Sequence, residues 1–341
     1  MKLPSRLERY RSLSEFNVLV TSAGRRVSLL RTFQEELLDL GLKGKVIAAD
    51  ASEWSSAFHD SGEGVVVPPC RDDNYVPELL RLCRRKSISL LIPTIDTELS
   101  VLAAHRDDFA AINTWVNVSS EEVVSIGVDK FKTRRWLADS GLPTVEHYEP
   151  DQISAGNALF PVIAKPRFGS SSMGLRWLHS PSDISGLNSE TEYVYQSKAR
   201  GLEYTIDILC DSDGSLLSAV PRRRVETRAG EMSKGCTVRS ETLLDLAKSA
   251  TGTLKGIRGV INLQCFWEGG NTVPQIIEIN PRFGGGFPLS NAAGARFPRW
   301  LIEHVAGFQS TASDDWEDNM VMLRYDDAIY VPGNVITVAT A

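Results

Sequence analysis

Gln275-Ile276-Ile277-Glu278-Ile279-Asn280-Pro281-Arg282-Phe283-Gly284-Gly285-Gly286 decides how the rest of the chain is read. The pattern is a strand running into a glycine-rich turn. Side chains along a strand alternate between its two faces. Alternation predicts Ile277 and Ile279 in a core, with Glu278 and Asn280 together on the other face. An acid and an amide fixed side by side, with Arg282 just beyond, suit a hard cation and a phosphate. The competing reading is a half-exposed strand whose polar face meets water.

The run before it strengthens the first reading. Val260-Ile261-Asn262-Leu263-Gln264-Cys265-Phe266 also alternates, with Ile261, Leu263 and Cys265 on one face and Asn262 and Gln264 on the other. A short loop containing Gly269, Gly270 and Asn271 joins the two runs, as in an antiparallel hairpin. Pairing would bring Gln264 close to Glu278 and Asn280. Three oxygen-bearing side chains suit magnesium, which keeps waters and completes its shell from substrate phosphates.

The whole chain sets bounds on this reading. Its 341 residues suffice for two or three domains, and its 42% hydrophobic content is that of a globular protein. A formal charge of −6 gives no reason to expect nucleic acid or an anionic membrane as partner. No apolar run reaches the length of a membrane span. Residues 1–15 carry Arg6, Arg9 and Arg11 without a following apolar region, which is a leader rather than a signal peptide. Cys70, Cys83, Cys210, Cys236 and Cys265 form no C-x-x-C pair, which fits reduced thiols in a cytoplasmic protein. The five histidines lack zinc-ligand spacing.

Toward the N-terminus, residues 16–21 form a short apolar run ending in Ser22-Ala23-Gly24. A helical pattern over 27–40, a strand over 45–50, a strand over 65–67, a helix over 76–86 and a strand over 88–93 follow. This alternation implies a parallel sheet with crossover helices. Ligands of such sheets sit at the C-terminal ends of the strands, here residues 21–25, Asp50 and the segment from Thr94 to Glu98 that contains Asp96. The full G-x-G-x-x-G dinucleotide fingerprint is missing. Gly24 and Asp50 are then either a turn and a cap, or part of a small-substrate rim.

The middle carries further candidates. Asp129 can cap a helix that buries Phe131, Trp136 and Leu137 and ends at Gly141 and Pro143. Lys130 lies near that helix start. Residues 160–166 read as a strand with Lys165 at its end, followed by a small-residue loop with Ser170, Ser171 and Ser172. Such a loop lets backbone N–H groups wrap a phosphate, and lysine adds a point charge. The same composition would serve a hairpin tip. Residues 193–199 lead into an alternating strand opened by Glu203. Arg222, Arg223, Arg224 and Arg228 form the densest basic run, either a solvated face or a grip on an anionic substrate.

These blocks, in this order, resemble the ATP-grasp superfamily. The likeness is to the synthetase units of the carbamoyl-phosphate synthetase large subunit and to single-unit amino-acid ligases such as the pyrrolysine-pathway ligase. It covers residues 16–310 and rests on Asp129-Lys130 with Gly141-Leu142-Pro143, Lys165-Pro166 with the loop, Gln196 to Glu203, and Glu278-Ile279-Asn280-Pro281-Arg282. The resemblance implies an α/β chain: an ATP-grasp fold behind an N-terminal Rossmann-like, pre-ATP-grasp parallel-sheet domain. The divisions it implies are a leader at 1–15, the Rossmann-like domain at 16–118, a linker helix and lid at 119–198, a metal-bearing subdomain at 199–310 and a docked tail at 311–341.

The resemblance also assigns roles. Lys130 and Lys165 contact ATP phosphates, with Ser171 and Ser172 in the lid loop. Gln196, Lys198 and Ala199 belong to the adenine hinge, and Glu203 holds the ribose. Gln264, Glu278 and Asn280 hold magnesium, two ions or with manganese as a substitute, and Arg282 faces the transferred phosphoryl group. Arg222, Arg224, Arg228 and Asp96 are the substrate candidates. Gln196 stands where these enzymes often have Glu, and Gln264 where several have a carboxylate. One unit, not two, departs from carbamoyl-phosphate synthetase, and a biotin carboxylase would carry more C-terminal chain. The implied activity is a carboxylate–amine ligase acting on small molecules through an acyl phosphate. A kinase or carboxylase-like enzyme without amine ligation, and a non-catalytic ATP-binding module, remain as alternatives. Oligomeric state stays open, a homodimer being the assembly considered.

Overall fold

The computed structural model describes residues 15–169, 173–228 and 230–336. Strand β1 (Asn17–Thr21) is buried along its whole length. Its apolar residues cannot alternate with polar ones, because helices cover both faces of the sheet. Helix α1 (Val27–Asp39), β2 (Val46–Asp50), α2 (Ser56–Asp60), β3 (Gly64–Val66), α3 (Tyr75–Arg85), β4 (Ile88–Pro93), α4 (Asp96–Ala104), α5 (Arg106–Ala110) and β5 (Trp115–Val116) follow. The sheet order is β3-β2-β1-β4-β5, all parallel. Strand order reverses between β1 and β4, which opens a crevice at their C-terminal ends.

Helices α6 (Glu121–Val128) and α7 (Lys130–Asp139) lead out of this layer. Asp129 caps α7 by accepting from the Phe131 amide at 3.0 Å. Trp136 and Leu137 are buried as expected, but Phe131 is only half-buried. Its ring lies under the Arg167 guanidinium, 4.8 Å from the ring centre, so it holds the lid base rather than the core. Next come β6 (His147–Tyr148), α8 (Pro150–Ser154), β7 (Val162–Pro166), β8 (Arg176–Leu178) and β9 (Tyr193–Ser197). These four strands form an antiparallel sheet in the order β6-β9-β7-β8, with its own small core.

The largest sheet comes last, from β10 (Leu202–Cys210), β11 (Leu216–Arg228), β12 (Glu231–Thr237), β13 (Gly259–Trp267), β14 (Gln275–Asn280) and β15 (Val321–Leu323). Helices α9 (Glu241–Gly252), α10 (Phe287–Ala292) and α11 (Phe297–Ala306) accompany it. The order is β14-β13-β10-β11-β12-β15, antiparallel throughout. Ile206, Ile208, Ile261 and Leu263 share one core with Leu243, Leu244 and Ala247 of α9. The opposite face carries the polar residues.

The hairpin of β13 and β14 forms as the sequence predicts, with one shift. Gln264 pairs with Glu278, but Cys265 pairs with Ile276, so Ile277 is an extra residue on β14. A bulge of this kind resets alternation locally. Ile276 and Ile279 are fully buried, whereas Ile277 turns to the open face beside Glu278. This corrects the placement of Ile277 in the core.

Aromatic packing locks the first domain onto the last. Phe33 of α1 meets Phe283 edge-on at 6.1 Å, Phe283 meets Phe287 at 4.7 Å, and Phe287 meets Phe297 at 5.3 Å. Phe283 and Phe287 are therefore core, not pocket lining. Arg296 adds hydrogen bonds of 2.7 and 2.6 Å to the Glu36 carboxylate. The glycine run at 284–286 is pinned between these contacts.

Candidate active site

A cavity of about 590 Å³ lies between the four-stranded lid sheet and the polar face of the six-stranded sheet. Its size is that of a small-ligand site. Register arranges its floor in rows. Glu203 of β10 pairs with Phe266 of β13 nearest the hinge. One step on, Thr205 lies between Arg222 of β11 and Gln264, and Gln264 lies opposite Glu278. The third row is Asp207, Asn262 and Asn280. Antiparallel partners share a face, so the pairing alone converges these side chains.

The four-stranded sheet forms the roof. Ile163 of β7 pairs with Gln196 of β9, and Lys165, two residues along, shares their face. Both lysines of the roof reach the cavity. Lys130 donates to the Gly169 carbonyl at 2.6 Å. The Lys165 ammonium makes no hydrogen bond or ion pair among the described residues. Burial pulls its ammonium below the ordinary lysine range; Glu278 pulls it back up, and Lys130 pushes it further down. Burial lowers Lys130 too, opposed first by Glu278. Two desolvated ammonium groups in one cavity suit a site for an anionic group.

Glu278 is the counterpart. Its carboxylate has no hydrogen bond or ion pair among the described residues. Gln264, directly opposite, accepts only a long contact of 3.5 Å from Arg224. Asn280 is more engaged: its side-chain oxygen accepts from Arg282 at 3.2 Å, and its amide donates to Asn262 at 3.3 Å. Among the described residues no cluster of three or more His, Cys, Asp or Glu could hold a metal. One free carboxylate flanked by amide oxygens is a weak cage by itself. It fits a magnesium ion that draws most of its shell from phosphates and water.

At the hinge end the walls are apolar: Val145, Ile163, Leu175, Trp177, Phe266 and Ile277. Gln196, Lys198 and Ala199 close that end. The Gln196 side chain is buried and lies 2.9 Å from the His147 ring. Burial and the nearby Arg134 pull His147 down to about 4, so the ring is neutral. Burial pushes Glu203 up, offset by Arg224, whose Nε lies 3.3 Å away.

The arginines divide. Arg282 reaches across the domains to Asp96, at the start of α4, with two bonds of 2.7 and 2.8 Å. Burial alone would lower Arg282; Asp96 and Glu278 hold it above its ordinary value. Asp96 therefore positions Arg282. Arg222 is fully buried and clamps Asp207 at 2.6 and 2.8 Å. Arg228 lies apart from the cavity lining, exposed and paired with Asp326 at 2.6 Å. Ser171 and Ser172 lie outside the described residues. Arg26, Glu231, Thr205 and Asn262 line the cavity without having been singled out as site residues in the sequence. For Arg26 the signal was available, one residue past the rim read at the end of β1. For Glu231 there was none.

Known proteins resemble this chain in sequence and in fold. Residues 18–117 match the model described as PylC-like, N-terminal domain. Residues 191–327 match the model described as ATP-grasp in the biosynthetic pathway with Ter operon. The chain has the ATP-grasp fold, behind a PylC-like N-terminal domain. No curated protein matches it. Among solved structures, biotin carboxylase from Campylobacter jejuni, in its beta-gamma-ATP complex, is similar over 90% of this chain and 75% of its own, with TM-score 0.68 and 15% identity. N5-carboxyaminoimidazole synthetase from Staphylococcus aureus is similar over 87% of this chain and 79% of its own, with TM-score 0.66 and 16% identity. N5-carboxyaminoimidazole ribonucleotide synthetase from Thermotoga maritima covers 88% and 77%, with TM-score 0.61 and 15% identity. At these identities the likeness is one of fold. No helix among the described residues is long and apolar enough to cross a membrane.

Proposed function

We propose that this chain is an ATP-dependent carboxylate–amine ligase. The observation that carries the reading is the free Glu278 carboxylate opposite Gln264, in the same cavity as the desolvated Lys165 and the hinge. ATP would lie with its base between the apolar lid and Phe266, its ribose at Glu203 and its phosphates under Lys130 and Lys165. Glu278 with Gln264 and Asn280 would hold magnesium, which would offset phosphate charge.

A carboxylate is a poor acyl donor because oxide is a poor leaving group. Transfer of the terminal phosphoryl group to a carboxylate oxygen breaks the bond to ADP and forms an acyl phosphate. Amine attack then forms the C–N bond, expels phosphate and releases a proton. The protein's part is positioning and charge stabilisation. Lys165 and Arg282 face the charge that develops, and Asp96 fixes Arg282 in place.

The test is ADP release and product mass spectrometry with pooled carboxylates and amines. ADP formation should require both substrates, and E278Q should lower it at least tenfold. A smaller loss overturns the site. Turnover without amine would point to a kinase or carboxylase-like enzyme, and ATP binding without turnover to a non-catalytic module.

A further inference from the structure

Four arginines line the cavity: Arg26, Arg222, Arg224 and Arg282. Three are committed. Arg222 is locked on Asp207 and Arg282 on Asp96, each by two bonds. Arg224 is shared between Glu203, Gln264 and the Gly230 carbonyl. Arg26 differs. Among the described residues its side chain pairs only with Glu231, at 3.3 Å, and makes no hydrogen bond. A guanidinium carries five N–H donors, so most of this one's are uncommitted.

Glu231 does not neutralise it alone. Arg324, just past β15, takes the other carboxylate oxygen at 3.0 Å and donates to the Gly285 carbonyl at 2.6 Å. Two guanidinium groups share one acid, leaving a net positive charge. Burial lowers Arg26, with Glu231 opposing and Arg282 and Arg324 adding to the effect. Burial alone would raise Glu231, but Arg26 and Arg324 hold it below its usual value. The backbone is shaped for this group. A Cβ on Gly285 would sit 2.9 Å from Arg26 Nη1 and 2.6 Å from the Glu231 carboxyl carbon. With glycine there, both charged groups lie against the chain without having to shift.

We propose that Arg26 binds a second oxyanion, a carboxylate or a phosphate, on the carboxylate substrate, which makes the substrate a small dianionic acid. This rests on the ligase reading above, in which Arg282 faces the charge that develops as the phosphoryl group passes to the reacting carboxylate. Arg26 and Arg282 line the same cavity, with Arg26 against Gly285, three residues along the turn from Arg282, so one small molecule can reach both. Arg324 acts as a positioning residue, holding Glu231 and the glycine turn.

The test is equilibrium calorimetry on the full chain saturated with magnesium and AMP-PNP. Probes are matched pairs: succinate against butyrate, glutarate against valerate, 3-phosphoglycerate against glycerate. At least one dianion should bind ten times more tightly than its partner, and which pair does so separates carboxylate from phosphate. R26Q should erase that preference to within twofold while AMP-PNP affinity stays within twofold. E231Q removes the competing acid and should tighten dianion binding at least threefold, an outcome that misfolding cannot mimic. Equal binding of dianions and monoanions, a preference that survives R26Q, or weaker dianion binding in E231Q overturns the inference. Failure of the wild type to bind AMP-PNP overturns the ligase reading itself.

Discussion

Lys165→Met should make the unliganded protein more stable and the enzyme far slower. The Lys165 ammonium sits under the lid with no hydrogen bond or ion pair among the described residues, and burial lowers its proton affinity. Methionine keeps most of the apolar stem and removes the charge. Replacing desolvated charge by apolar groups commonly gains about 1–4 kcal/mol; Lys165 is half-buried rather than sealed, so a gain of about 1–2 kcal/mol is expected. That is a rise of about 1–3 °C in Tm for a chain of this size. The sign with pH follows. Between its lowered folded value and about 10.4, Lys165 holds fewer protons folded than unfolded. Wild-type stability therefore rises with pH through that window, and the K165M variant lacks this rise. Magnesium with AMP-PNP reverses the ranking. At a hundredfold excess over Kd the wild type gains about 2.7 kcal/mol, and the variant gains less. Loss of one charge-stabilising donor should cost about 10²–10³ in ADP formation. Urea titrations at several pH values, with and without nucleotide, read all of this. A K165M variant less stable than wild type without ligand, or one that forms ADP at the wild-type rate, would refute the argument.

Two further outcomes follow from the floor of the cavity. Q264E places a carboxylate directly opposite Glu278. Like charges in register should cost about 0.5–1 kcal/mol without metal, while manganese affinity in the presence of ADP should rise about tenfold; unchanged manganese binding by paramagnetic resonance contradicts the metal assignment. G286A puts a Cβ 2.2 Å from Arg222 Nη1, which cannot retreat without breaking its two bonds to Asp207. The loss should be about 2–4 kcal/mol in urea unfolding, and a loss below about 0.5 kcal/mol would show that the clamp does not constrain the turn.

Much of the site lies within reach of a local rule. The period of two in residues 260–266 and 275–280 sets Gln264 and Glu278 on one face and Ile261, Leu263 and Ile279 on the other, as found. The alternating strands and helices of residues 16–116 likewise specify a parallel sheet. These features depend on neighbours in the chain, so the chain shows them. Ile277 escapes the rule because a bulge depends on how two strands pair, not on either strand alone. The roles of the arginines escape it more fully. Arg282 is held by an acid 186 residues away, and Arg222 and Arg228, six residues apart on one strand, end in a sealed clamp and at an exposed surface. A basic run states how much charge is present. Which of its charges is neutralised, and which faces the ligand, is set only when the docked domains bring each guanidinium its acid or leave it without one.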